Sequence, residues 1–247
     1  MITYDEEMTN NNERIEDLEC GGLKIIQDKS LYTFTSDSVT LANFVKIKSK
    51  EKALEIGAGG GVISILLTAK TRVKKIVAFE MQEQMAVFAE RNVTLNKLDD
   101  RIEIINDKIQ NYNQHFKDGE FDVVFSTPPY MLSEPAQEDS VRYLSRHDKM
   151  LKIDELCELT SKALKFGGRA YFVYASERSA ELIYHLVRNR LEPKALFFTE
   201  NGKGKTVLVV VEAVKGGKHG VKVLPNLVTN GENGDYLEKL HTRNFIK

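Results

Sequence analysis

Residues 52–70 read KALEIGAGGGVISILLTAK. Lys52–Ile56 is a short apolar run with the length of a strand. Gly57-Ala58-Gly59-Gly60-Gly61 is a turn, and Val62–Lys70 continues as an apolar helix. A strand, a glycine-rich turn and a helix in that order open a βαβ unit, and the same alternation continues outward from it. Strands are expected at Lys75–Glu80, Ile102–Ile105, Phe121–Phe125 and Arg169–Tyr174, and helices at Glu83–Leu95, Ile153–Leu164 and Glu177–Arg190. Phe166-Gly167-Gly168 reads as a glycine stop to the helix before it. Further on, Ala195–Thr199 and Thr206–Val214 flank a turn at Asn201-Gly202 and read as an antiparallel hairpin. The expected fold is α/β: one doubly wound, mainly parallel sheet with a C-terminal antiparallel hairpin.

Composition agrees with a single globular unit. The chain has 247 residues, 42% hydrophobic and 29% charged, which is enough apolar material for a real core. The formal charge of −1 excludes a generally basic nucleic-acid binder but not a local basic face. Charge is uneven: residues 1–20 carry −6, which leaves +5 on the remainder. Residues 1–16 are therefore expected as an acidic, solvated tail, residues 17–247 as the folded domain, and residues 17–49 as a cap over a ligand end. The acidic start is unlike a targeting peptide, and no apolar run is long enough for a membrane helix. Cys20 and Cys157 are too few for a disulfide framework or a zinc site, and the scattered histidines lack metal-ligand spacing. No metal, no membrane and a cytoplasmic location are expected, with a monomer favoured.

The glycine cluster follows Glu55. A turn of this kind lets a ligand approach the backbone at a helix N-terminus. A dinucleotide site wants a third glycine where this chain has Val62, and a carboxylate at Glu55 would repel a pyrophosphate. A ligand carrying an ammonium and a sulfonium tolerates that charge, so the residues favour S-adenosylmethionine over a nicotinamide cofactor. A ligand-free tight turn would use the same glycines, but not the acid. Polar residues recur at successive strand ends, at Glu80, Asp107 and Thr127, where ligands of open α/β sheets bind. Glu80 is placed to accept from ribose hydroxyls, and Asp107 from an adenine amino group.

Ser126-Thr127-Pro128-Pro129-Tyr130 comes directly after the FDVVF run. Two prolines stiffen the turn and withhold backbone donors, and an aromatic ring beside fixed acceptors suits a planar amine. Alone, the segment would read as a proline-rich loop. Lys215, Lys218, His219 and Lys222 form a small basic cluster, either a solvated loop or a phosphate contact.

Glu55–Gly61 and Thr127–Tyr130 together resemble class I S-adenosylmethionine-dependent methyltransferases with an amino-methylating Asp/Asn-Pro-Pro-aromatic motif. Gly22–Asp28, Phe34–Val39, Ser145-Arg146-His147-Asp148 and Lys215-Gly216-Gly217 are similar to the bacterial tRNA1(Val) (adenine(37)-N6)-methyltransferase family. The resemblance spans roughly residues 17 to 240. It implies a seven-stranded Rossmann-like sheet, S-adenosylmethionine as cofactor, tRNA as partner, and methylation of an adenine N6 amine. By that resemblance Phe34 and Asp37 lie beside the methionine end of the cofactor, with Gly57, Gly59 and Gly61 under it. Glu80 binds the ribose, Met81 faces the adenine and Asp107 takes its amino edge. Thr127 and Pro128 hold the target amine, Tyr130 stacks on the target base, and Pro129, Arg146 and His147 meet the RNA.

One position departs from the family, which has Asn where this chain has Thr127. A hydroxyl is shorter than an amide and both donates and accepts. Two other readings stay open: methylation of a glutamine amide in a protein such as a release factor, or an RNA- or cofactor-binding protein without turnover. The glutamine methyltransferases carry a sizeable helical N-terminal domain, which fewer than about fifty residues here would not supply.

Overall fold

The computed structural model describes residues 12–28, 34–128 and 151–229. A two-stranded antiparallel ribbon comes first, β1 (Glu13–Asp17) with β2 (Lys24–Asp28), and then α1 (Ser36–Phe44). Next come β3 (Lys52–Ile56), α2 (Val62–Lys70), β4 (Lys75–Phe79), α3 (Glu83–Leu95) and β5 (Ile102–Ile105). After them lie a short α4 (Tyr112–His115), β6 (Phe121–Ser126), α5 (Ile153–Ala163), β7 (Leu164–Ala175) and α6 (Ser179–Arg188). The hairpin is β8 (Leu191–Glu200) with β9 (Thr206–Lys215), and two short strands, β10 (Lys222–Val223) and β11 (Leu227–Val228), complete the described chain.

The sheet runs β5-β4-β3-β6-β7-β9-β8, with β10 and β11 lying parallel along the outside of β8. The five strands from β5 to β7 are parallel, and β9 enters antiparallel to both its neighbours. The expected seven strands are thus present, with two two-residue strands added at the edge. β3 alternates its side chains between two cores. Ala53 packs with Leu41, Phe44 and Ile65 beneath α1 and α2, whereas Leu54 and Ile56 pack with Tyr112, Leu156 and Leu182 beneath α4, α5 and α6. Burial on both faces is why the parallel strands read as unbroken apolar runs.

The structure departs from the sequence expectations at several ends. α5 does not stop at Gly167-Gly168; its last residue is Ala163, and β7 begins at once. The glycines sit inside β7, where the pairing skips from Phe121↔Leu164 to Val123↔Arg169 and Gly167 takes φ 77°. Glycine serves bulges as readily as helix stops, and here it makes the bulge. The expected helix from Glu177 begins later, at Ser179, after a single 3₁₀ turn at Ser176–Arg178. β1 runs across the expected boundary between residues 16 and 17.

The ribbon is held to the sheet by side chains of α3. Asn92 is fully buried; its Oδ1 accepts from Ile26 N–H at 2.6 Å, and its Nδ2 donates to the carbonyls of Ile26 at 3.2 Å and Gly60 at 3.0 Å. One turn later Asn96 accepts from Lys24 N–H at 2.8 Å and donates to Lys24 O at 2.7 Å. The two amides stand in for a third strand beside β2. Arg91 adds a bidentate pair with Glu13 at 2.8 and 2.7 Å. Asn92→Ala would strand the buried Ile26 N–H and Gly60 carbonyl, so urea unfolding should show a loss of about 2–4 kcal/mol, against about 1 kcal/mol for Asn96→Ala.

Candidate active site

β3 and β6 are hydrogen-bonded neighbours, and the turns leaving their C-terminal ends face a common crevice. Past Ile56 the backbone turns through three left-handed residues, Gly57 (φ 78°), Gly59 (φ 53°) and Gly61 (φ 82°). The amides of Gly57 and Ala58 both donate to Phe79 O at 2.9 Å, tying the bend to the end of β4. Past Phe125, the Ser126 hydroxyl donates to Ile56 O at 2.6 Å, tying the end of β6 to the same place. The cleft between them holds about 1000 Å³ of open space, its mouth included.

Of the expected site residues, the cleft brings together Phe34, Gly57, Gly59, Glu80, Met81 and Thr127. Nothing lies within 4 Å of where a Cβ would stand on Gly57 or Gly59, so the floor is open above both. Gly61 differs: its missing Cβ would stand 3.5 Å from Ala89, so this glycine lets α3 approach the bend. Glu80 is buried, its Oε2 accepting from Gly59 N–H at 2.8 Å and its Oε1 from Gln82 N–H at 2.9 Å. Burial pushes its carboxyl above the ordinary range, and the backbone donors of Gln82, Gly59 and Met81 pull it back.

Other expected residues sit elsewhere. Glu55 is fully buried beneath the bend on the α2 side, where the Ser64 hydroxyl donates to its Oε2; Oε1 has no partner. Burial raises its pKa to about 8, so near neutrality it is mostly a neutral acid and not a charge displayed in the cleft. Asp37 stands in the first turn of α1 beside Ser36, next to the cleft-lining Ser38 rather than in the wall itself. Asp107 turns to His115 Nε2 at 2.8 Å and Asn111 Nδ2 at 2.6 Å, and those bonds hold its carboxyl below the usual range. Pro128 is buried just past Thr127. Pro129, Tyr130, Arg146 and His147 lie outside the described residues. Lys215 is not free for a phosphate, because its Nζ donates to Ser161 O at 2.6 Å and Leu164 O at 2.8 Å, at the end of α5.

The structure also adds wall residues to which the sequence gave no role. Ile25, Ile26, Gln27 and Asp28 of β2 form one side, and Met85 and Phe88 of α3 another. The 3.6-residue spacing puts Met85 and Phe88 on one helix face, which is where they stand. Among the described residues no group of three or more His, Cys, Asp or Glu side chains is placed to hold a metal, and no helix is long and apolar enough to cross a membrane.

Residues 47–220 match the methyltransferase domain family. The chain belongs to that family. The match covers most of the sheet and both motifs, and S-adenosylmethionine is the cofactor. The cleft fits such a group: an open glycine floor, a buried carboxylate with acceptor capacity left, and flexible apolar faces from Met81 and Met85. The curated relatives include proteins named tRNA1(Val) (adenine(37)-N6)-methyltransferase. That of Bacteroides thetaiotaomicron is 28% identical over 66% of this chain and 70% of the relative; that of Shewanella sp. strain MR-7 is 25% identical over 92% of each. Among solved structures, a predicted O-methyltransferase from Agrobacterium tumefaciens superposes with a TM-score of 0.64 at 18% identity, covering 83% of this chain and 99% of that one. TYW2 of M. jannaschii, in complex with AdoMet, gives 0.57 at 16% identity, covering 87% and 90%. At these identities the structures establish the fold.

The buried Glu55 makes stability depend on pH. Between the ordinary value of 4.5 and about 8 the folded chain holds a proton that the unfolded chain releases. Stability from this group is therefore complete below pH 4.5 and declines as pH rises towards 8. Relative to Glu55→Gln, the parent protein should lose on the order of a few kcal/mol between those limits, measured as unfolding temperature against pH.

Proposed function

We propose that this methyltransferase transfers the methyl group of S-adenosylmethionine to the exocyclic N6 amine of an adenine in tRNA, at position 37 beside the anticodon. The observation that carries the proposal is the shared cleft: Thr127, first residue of the Thr-Pro-Pro-Tyr segment, lines the same wall system as the Gly57–Gly60 bend. The names of the curated relatives support the choice of acceptor. Residues 17–247 act as one catalytic unit in the cytoplasm, as a monomer; of the expected cap over residues 17–49, β2 and the segment from Phe34 to Ser38 cover the cofactor end, whereas residues 45–49 run to the far end of the sheet.

S-Adenosylmethionine supplies an electrophilic methyl on a sulfonium. The chain's part is to bind and orient. Glu80 accepts from the ribose hydroxyls, Met81 and Phe88 cover the base, and Phe34 closes the methionine end. Thr127 Oγ1 and the Pro128 carbonyl accept the N–H bonds of the target amine and aim its lone pair. Tyr130 stacks on the target base, with Pro129, Arg146 and His147 on the RNA side. An adenine amine is neutral and needs placing more than it needs a strong base, and its proton leaves to water. The base has to leave its stack to reach the cleft.

Labelled S-adenosylmethionine incubated with bulk tRNA or with a release-factor preparation decides the acceptor. Label is expected in tRNA, at an N6-methyladenine found by mass spectrometry of the digest. Label on protein alone refutes the proposal. Thr127→Asn should transfer faster at similar cofactor affinity, because the amide carbonyl reaches further; an equal rate would show that the hydroxyl already serves. Glu80→Ala should weaken cofactor binding by about 1–3 kcal/mol in titration calorimetry.

A further inference from the structure

The cleft lies at the C-terminal end of the parallel strands. At the other end, the segments leading into the adjoining strands β3 and β4 share one pattern. In residues 45–50, Val45 and Ile47 are buried while Lys46, Lys48 and Lys50 are exposed. In residues 72–74, Val73 is buried and Arg72 and Lys74 are exposed. The two segments are neighbours because Lys52 pairs with Lys75 in the parallel register. Five cations are thereby turned outward on a chain whose overall charge is −1.

Charge at this end is not balanced locally. Glu51 is held by Arg169, Glu120 by Lys52, Asp122 by Lys165, and Glu103 by Lys75. None of Lys46, Lys48, Lys50, Arg72 and Lys74 has an ion pair among the described residues. The nearby acids outside those pairs are Asp99 and Asp100, on the turn into β5, Asp118, ahead of β6 and within the field of Lys162, and Glu212 of β9, which accepts from the Tyr171 hydroxyl at 3.1 Å. They leave an excess of positive charge, and Asp99 already accepts from Thr94. The C-terminal ends of helices favour cations, but a fractional dipole charge does not call for five.

We propose that this end of the sheet is a docking face for the phosphate backbone of RNA, separate from the cleft. Exposed lysines and arginines in extended segments match a polyanion, and neutralising its phosphates releases counterions. β3 spans the distance between face and cleft, about 16 Å for five residues, so an RNA that places one base in the cleft reaches the face with a second part of its fold. The identity of the polyanion rests on the tRNA proposal; the charge does not.

The test uses the full chain and a variant with Lys48→Gln, Lys50→Gln, Arg72→Gln and Lys74→Gln. Affinity for bulk tRNA is measured against salt, alongside affinity for S-adenosylmethionine and unfolding temperature. The variant should bind tRNA about tenfold or more weakly near 0.1 M salt, with a log–log salt slope lower by about 2–3. Cofactor affinity and unfolding temperature should match the parent. Equal tRNA affinity and slope in parent and variant overturn the face, as does a parent that binds no tRNA at low salt. Phosphatidylglycerol vesicles bound by the parent and not by the variant, with tRNA binding unchanged, overturn the assignment to RNA. If the tRNA difference appears but the parent methylates no tRNA, the face stands and the substrate proposal falls.

Discussion

A run of left-handed backbone at Gly57, Gly59 and Gly61 is the constraint around which the site is built. Residues with a Cβ adopt that conformation at a cost of about 1–2 kcal/mol each, so three of them within five positions demand glycine or outside support. The support is also there. Phe79 O receives two amides of the bend, Glu80 receives a third, and Asn92 takes the Gly60 carbonyl. The bend is therefore held by polar contacts to β4 and α3, and its upper surface stays free of side chains. An open floor over a rigid turn is what a close-lying ligand needs.

Asn92 gives the bend a second consequence. The same amide that holds Gly60 also satisfies Ile26 of β2, so the wall formed by the ribbon and the floor formed by the glycines share one anchor. A change at that one side chain would loosen wall and floor together. Glu55, beneath the floor, contributes a buried group with one unpaired oxygen, which is an electrostatic cost that a hydrophobic residue of the same size would avoid.

The strand–turn–helix order, the parallel core and the terminal hairpin were legible in the sequence because each leaves a periodic trace. The short apolar run of β3, the apolar length of α2 and the Asn201 turn are local properties. The ribbon was not legible, because its attachment is a side-chain contact across 66 residues and asparagines on a helix read as ordinary polar positions. Of the strand-end residues, Glu80 and Thr127 line the cleft, whereas the Asp107 carboxylate is bonded to His115 and Asn111. Spacing places all three at strand ends, but the direction in which each side chain points is not available from spacing. Lys215 illustrates the same limit, since a cation in a turn-rich segment is as well used on a helix end as on a phosphate.

The Ser126–Ile56 bond has an implication for how this family diversifies. Under the proposed roles, the donor and acceptor sides ride on β3 and β6, one hydrogen-bond ladder apart, so the gap between them is dictated by sheet geometry and not by loop conformation. A replacement such as threonine for asparagine at the first motif position alters the chemistry of one bank of the crevice and leaves the opposite bank where it was. New acceptors can be sampled on that scaffold without rebuilding the cofactor site.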